Sequence, residues 1–63
     1  SDYYLYYPSV TATGDVVTFE VNDGRSTLRF SADCRQGTFN GASPRDADEA
    51  QLLNAACQVA FGQ

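Results

Sequence analysis

The chain has 63 residues, no histidine, and a net charge of −4 from eight acidic side chains and four arginines. The acidic balance argues against nucleic-acid binding, which requires clustered positive charge, and no run approaches the roughly 20 apolar residues of a membrane-spanning helix. The short length of the chain predicts a single domain over residues 1–63. Because histidine, the commonest general base and metal ligand, is missing, we expect that the protein is not an enzyme and holds no metal or cofactor.

Tyrosine dominates the first predicted strand, SDYYLYYP, which we expect to end at Pro8 because proline cannot donate to a sheet ladder. Its alternation places Tyr3, Leu5 and Tyr7 on one side and Tyr4 and Tyr6 on the other. Residues 9–14 then read as a turn-rich connection that bends at Gly14. The tyrosines either cover a thin core or form a contact surface, because tyrosine has an apolar body and a polar tip.

Two alternating segments follow, joined by Asn22-Asp23-Gly24, which is a strong hairpin signal. Their apolar residues share one face: Val17, Phe19 and Val21 before the turn, and Leu28, Phe30, Ala32 and Cys34 after it. A two-residue turn centred on Asp23-Gly24 makes Asn22 face Arg25. Counting back then pairs Val21 with Ser26, Phe19 with Leu28, and Val17 with Phe30. On the other face, Glu20 opposes Thr27 with Arg25 and Arg29 as its diagonal neighbours.

The segment RQGTFNG predicts one more short strand, with Gly37 at a turn and Phe39 pointing into the core. Ser43 and Pro44 then have the residue types of a helix N-cap and first helical position. The helix should run from about Pro44 to Phe61 and stop at Gly62. Its early acids Asp46, Asp48 and Glu49 suit the positive end of a helix dipole better than a calcium loop. Its apolar stripe is Ala47, Ala50, Leu53, Cys57, Ala60 and Phe61.

The two cysteines each fall on the inward side of a predicted element. Cys34 ends a strand and Cys57 lies in the helix stripe, so one disulfide would join helix to sheet; two buried free thiols are the alternative. So short a chain buries only about 60% of its unfolded surface, and closing this loop would contribute roughly 3 kcal/mol. We therefore predict an α+β fold: a small antiparallel sheet of three to four strands, a C-terminal helix packed on one face, and one disulfide.

Disulfides persist in oxidising compartments, so the sequence predicts an extracytoplasmic protein of the periplasm, the cell surface or the secreted fraction. No basic and apolar signal segment begins at Ser1. An exported protein would therefore have lost its signal before this sequence begins.

The order of these features resembles that of small bacterial domains related to surface-adhesin protein E. The matching residues are Tyr6, Tyr7, Pro8 and Ser9, the strand reaching Cys34, and Cys57. The resemblance implies an exported domain with a curved antiparallel sheet and a disulfide between comparable positions. This chain differs in being shorter, in lacking tryptophan, and in having a helix around Cys57.

The tyrosines Tyr3, Tyr4, Tyr6 and Tyr7 are the best candidates for partner contact, because tyrosine is enriched in protein interfaces. We expect a noncatalytic exported module that binds a protein or cell-surface component through this strand. An N-terminal strand is often a sheet edge, and edges invite pairing with another chain. A self-associating structural subunit, such as a homodimer formed through this edge, is therefore the alternative.

Overall fold

The computed structural model describes residues 3–62 and contains a four-stranded antiparallel sheet with one helix against it. The strands are β1 (Tyr4–Thr13), β2 (Val16–Asn22), β3 (Thr27–Asp33) and β4 (Thr38–Phe39), and the helix is α1 (Ala47–Phe61). The spatial order β1-β2-β3-β4 follows the chain, so each strand pairs with its sequence neighbour. The predicted α+β class, with its sheet and C-terminal helix, is confirmed.

The core lies between the sheet and α1, and β2 supplies its centre. Val17, Phe19 and Val21 of β2 are fully buried. β3, β4 and α1 add one or two buried residues each: Ala32, Phe39, Leu53 and Ala56. Phe19, Phe30 and Phe39 form a ring cluster with centroids 5.0 to 6.2 Å apart. The predicted inward position of Phe39 is thus confirmed.

The disulfide between Cys34 and Cys57 is present and joins the end of β3 to α1. Their Cα atoms are 5.8 Å apart, within the range that a disulfide requires. Since both cysteines are bonded, the alternative of two free thiols does not hold. The bond ties the helix to the sheet across 23 residues of chain.

The β2–β3 hairpin forms, but the predicted two-residue turn is wrong. Asn22 pairs with Thr27 instead of Arg25, so residues 23–26 form the turn. The side chain of Asp23 is the physical reason, because its Oδ1 accepts hydrogen bonds from the backbone N–H groups of Ser26 and Arg25, both at 2.9 Å. These two bonds hold the pKa of the Asp23 carboxyl below its ordinary value.

The longer turn shifts the predicted register by two residues. Val21, Phe19 and Val17 pair with Leu28, Phe30 and Ala32. Since side chains alternate with a period of two, this shift keeps every apolar residue on its predicted face. The pairing on the outer face does change: Glu20 lies directly opposite Arg29, and not opposite Thr27.

β1 continues past Pro8, so the prediction that the strand ends there is wrong. It pairs with β2 over residues 4–6 and again over residues 11–13, with a bulge between. The Ser9 hydroxyl closes the bulge by accepting a hydrogen bond from the backbone N–H of Glu20 at 2.8 Å and donating one to the carbonyl of Tyr6. This hydroxyl substitutes for a ladder bond where the strand bulges around proline.

The connection between β1 and β2 is the tight turn Gly14-Asp15, because Thr13 already pairs with Val16. Gly14 has a φ of +62°, which glycine adopts without the steric cost of a side chain. The predicted bend at Gly14 is confirmed. The predicted connection over residues 9–14 is otherwise wrong, because residues 9–13 belong to β1.

α1 begins later than predicted, at Ala47. Its N-cap is Asp46, whose side chain accepts a hydrogen bond from the backbone N–H of Glu49 at 2.9 Å. Glu49 reaches back in turn, and its Oε1 accepts from the backbone N–H of Arg45 at 2.9 Å. This reciprocal arrangement is close to a capping box. Ser43 is therefore not the cap, and Pro44 lies outside the helix.

The helix ends as predicted but packs through a slightly different face. Gly62, with a φ of +69°, donates its N–H to the carbonyl of Gln58 at 2.7 Å. Ala56 is fully buried although the predicted stripe omitted it, whereas Ala47 and Phe61 are exposed. The true inner stripe is thus rotated slightly toward Ala56.

Candidate interaction surface on strand β1

All four tyrosines of the chain lie on or next to β1 and are exposed. The exposed fractions are 43% for Tyr3, 65% for Tyr4, 57% for Tyr6 and 65% for Tyr7. In contrast, the rings of Phe19 and Phe39 are at most 4% exposed. Two of the phenylalanines therefore lie in the core, whereas all four tyrosines lie at the surface.

Strand pairing assigns two of the tyrosines to a face of the sheet, and the α1 residues around Tyr3 assign a third. Leu5 pairs with Val21, which is fully buried beneath α1. Its neighbours Tyr4 and Tyr6 consequently point to the opposite face, which α1 does not cover. Tyr3 lies on the helix side, as predicted for the group that includes Leu5. Tyr7, also predicted for that group, starts the bulge, where alternation no longer assigns a face.

The uncovered face next to these tyrosines is polar and close to neutral. Tyr6, Glu20 and Arg29 form one cross-strand row, so a carboxylate and a guanidinium oppose each other beside the ring. The neighbouring row contains Tyr4, Asn22 and Thr27. Tyr4 and Tyr6 therefore lie at the edge of this face, where the charges of Glu20 and Arg29 balance each other.

β1 is an edge strand, because β2 is its only paired neighbour among residues 3–62. The orientation of its backbone follows from Tyr6, whose carbonyl is turned toward β2 to receive the Ser9 hydroxyl. Backbone groups alternate between the two sides of a strand. The N–H and C=O of Leu5 therefore point to the free side, between the side chains of Tyr4 and Tyr6.

A groove of about 200 Å³ runs between β1 and α1; we call it the β1–α1 groove. Its lining residues come from these two elements and from Tyr3: Tyr3, Leu5, Asp48, Gln51, Leu52 and Ala55. Leu5, Leu52 and Ala55 give it an apolar floor. Tyr3, Asp48 and Gln51 give it one aromatic ring, one carboxylate and one amide.

The three acids at the helix start line one cavity of about 160 Å³ together with Arg45, but their contacts differ. Asp46 caps α1, and Glu49 lies 3.2 Å from the guanidinium of Arg45. Asp48 instead lines the β1–α1 groove. Within residues 3–62, no cluster of three histidine, cysteine or acidic side chains has the arrangement of a metal site.

The sequence pattern identified the four tyrosines but missed the groove residues Asp48 and Gln51. These two and Ala55 follow one another at helical spacing, beside the buried stripe. That spacing is a signal for a shared helix face. It does not say that β1 would lie next to this face.

Another groove, of about 570 Å³, lies beside the disulfide and has a different character. It is lined by Cys34, Gly37, Leu53, Asn54, Cys57, Gln58 and Phe61. Both cysteines are bonded to each other, so this lining brings together no titratable side chain. In the described part of the chain, no helix has the length and apolar character needed to cross a bilayer.

Comparisons of the chain with protein-family models, with curated proteins and with solved structures each give no match.

Proposed function

We propose that this protein is a noncatalytic exported module that binds another protein through the tyrosines of β1. The observation that carries the proposal is the exposure of all four tyrosines, 43 to 65%, along one edge strand. Tyrosine supplies a large contact area at a small cost in side-chain entropy and is enriched in protein interfaces. The partner that we propose is another protein, for example one displayed on a cell surface.

The disulfide supports the exported location. A bond between Cys34 and Cys57 persists in the periplasm, on cell surfaces and in secreted proteins, whereas cytosolic thiols are kept reduced. The resemblance to surface-adhesin protein E-like domains agrees with the same location. We therefore propose that the protein works outside the cytoplasm.

We expect the substitutions Tyr4→Thr and Tyr6→Thr, made together, to weaken partner binding at least about tenfold, because exposed aromatic anchors carry much of the energy of an interface. Threonine keeps the strand propensity of these positions. The partner is first identified with a photo-crosslinking residue at position 6 and then purified for titration. The free energy of unfolding of the double variant is measured alongside.

Val16→Thr is the matched control for these tyrosine substitutions. Val16 is 40% exposed and lies at the far end of the same face, so this variant should bind as the unaltered protein does. If the double tyrosine variant keeps its full affinity while remaining folded, the proposal is wrong.

The free edge of β1 favours a second candidate, a self-associating structural subunit. Two features oppose it: the bulge interrupts the edge after Tyr6, and each copy carries a net charge of −4. Bulges and prolines on edge strands limit pairing between copies. We therefore expect a monomer in sedimentation velocity at both low and high protein concentration. A dimer that grows with concentration would favour the second candidate.

A further inference from the structure

We infer that the partner pairs an extended segment with the free edge of β1 at Leu5 and places a basic side chain, lysine or arginine, in the β1–α1 groove. This inference rests on the proposed function and adds the chemistry of the partner. Three properties of the surface carry it: the direction of the edge backbone, the lining of the groove, and the charge of the chain.

The edge backbone provides the first step. The N–H and C=O of Leu5 face away from β2, so an extended segment can form main-chain hydrogen bonds there, as in other complexes that add a strand to a sheet. Tyr4 and Tyr6 flank this position on the uncovered face and are more than half exposed. Because the bulge begins at Tyr7, the pairing is short, and side-chain contacts must supply much of the affinity.

The groove provides the second step. Its volume of about 200 Å³ lies below the roughly 300–1,000 Å³ of small-molecule sites and suits a single side chain. Lysine and arginine combine an aliphatic stem with a charged head. The stem would cover Leu5, Leu52 and Ala55, and the head would meet the carboxylate and the aromatic ring at the rim.

Charge provides the third step. The ion pairs within residues 3–62 are Arg35 with Asp15 and Arg45 with Glu49, so Asp48 has no cationic partner in the described chain. The groove lining contains no basic side chain, and Arg45, which lines the adjoining cavity with Asp48, is paired with Glu49. An acidic residue in the groove would be repelled by Asp48. A basic residue would be attracted both by Asp48 and by the net charge of −4.

The test uses the folded, oxidised protein and three acetylated and amidated pentapeptides. The first is Val-Arg-Val-Arg-Val, the second replaces arginine with glutamate, and the third repeats the first with N-methylated peptide bonds. Binding is followed by amide chemical shifts in NMR titrations to millimolar peptide. We expect the first peptide to shift the amides of Leu5, Tyr6, Asp48 and Gln51, and the other two to leave them in place.

Asp48→Asn should weaken binding of the arginine peptide about fivefold, as expected for the loss of one interfacial charge. Asp15→Asn removes the same charge at the distant β1–β2 turn and should leave the affinity unchanged. Equal binding of the glutamate peptide, an equal effect of both variants, or no shift with the arginine peptide would overturn the inference. In those cases, tyrosine-dependent binding of the identified partner would still stand, so the two proposals fail separately.

Discussion

Replacing Cys34 and Cys57 by alanine is expected to lower the free energy of unfolding by about 3 kcal/mol. The bond closes a loop of 23 residues, and losing it frees the unfolded chain. Folded domains gain about 0.05 to 0.15 kcal/mol per residue, or about 3–9 kcal/mol for a chain of this length. The bond therefore represents a large share of the total stability. Urea unfolding followed by circular dichroism measures the change.

The helix should respond to this loss more than the sheet does. Leu53 and Ala56 are the buried residues of α1, and an isolated helix of 15 residues is marginal in water. In the double alanine variant, we expect hydrogen exchange to accelerate by a larger factor at the amides of α1 than at those of β2. As a control, a thiol reductant should lower the unfolding midpoint of the unaltered protein and leave that of the double alanine variant unchanged. If the reductant does not change the unfolding midpoint of the unaltered protein, the stabilising role of the disulfide is wrong.

Phe19→Ala is expected to destabilise the fold by about 3–5 kcal/mol. Phe19 is fully buried at the centre of β2, and its ring lies 6.2 Å from both Phe30 and Phe39, centroid to centroid. Removing it leaves a cavity between the sheet and α1 that this small core cannot refill. We expect most of the variant to be unfolded at room temperature, as measured by near-ultraviolet circular dichroism and urea titration.

Phe61→Ala is the matched control, because it removes the same side chain at a position that is 40% exposed. Its cost should be about 1–2 kcal/mol, in proportion to the smaller area buried. Since Phe19→Ala is expected to unfold, Phe19→Leu provides a measurable intermediate, at about 1.5 kcal/mol. Equal costs for the alanine variants at positions 19 and 61 would show that the core does not lie where we describe it.

Apolar alternation predicted the faces of β2 and β3 correctly but could not determine their register. A shift of the register by two residues changes the partner of every residue but keeps every side chain on the same face of the sheet. The turn decides between the registers, and it does so through the side chain of Asp23, which binds the N–H groups of Arg25 and Ser26. Asn-Asp-Gly predicted a hairpin, but its middle residue selects a longer turn.

The helix start could have been predicted more accurately from the sequence. Ser43 and Asp46 are both good cap residues, but only Asp46 is followed three positions later by a glutamate, Glu49, which is the capping-box spacing. The continuation of β1 past Pro8 was harder to predict. It depends on the Ser9 hydroxyl meeting the backbone N–H of Glu20, a contact between residues distant in the sequence.

For the candidate site, the sequence predicted the residue types and the structure adds their arrangement. The sequence left open whether the tyrosines cover a thin core or form a contact surface, and all four are exposed. The groove beside them depends on how α1 crosses β1, which brings Asp48 and Gln51 next to Leu5. Helical periodicity places Asp48 and Gln51 on one face but does not identify the element that this face meets.

Hydroxyl-radical footprinting of the protein, alone and saturated with the partner that crosslinking identifies, will show whether partner binding covers the tyrosines of β1. In the free protein, Tyr4, Tyr6 and Tyr7 should be oxidised rapidly, while Phe19 stays protected. Partner binding should protect the tyrosines and leave the reactivity of Phe61, at the far end of α1, unchanged. Tyrosines that react equally fast with and without the bound partner would contradict the role that we propose for β1.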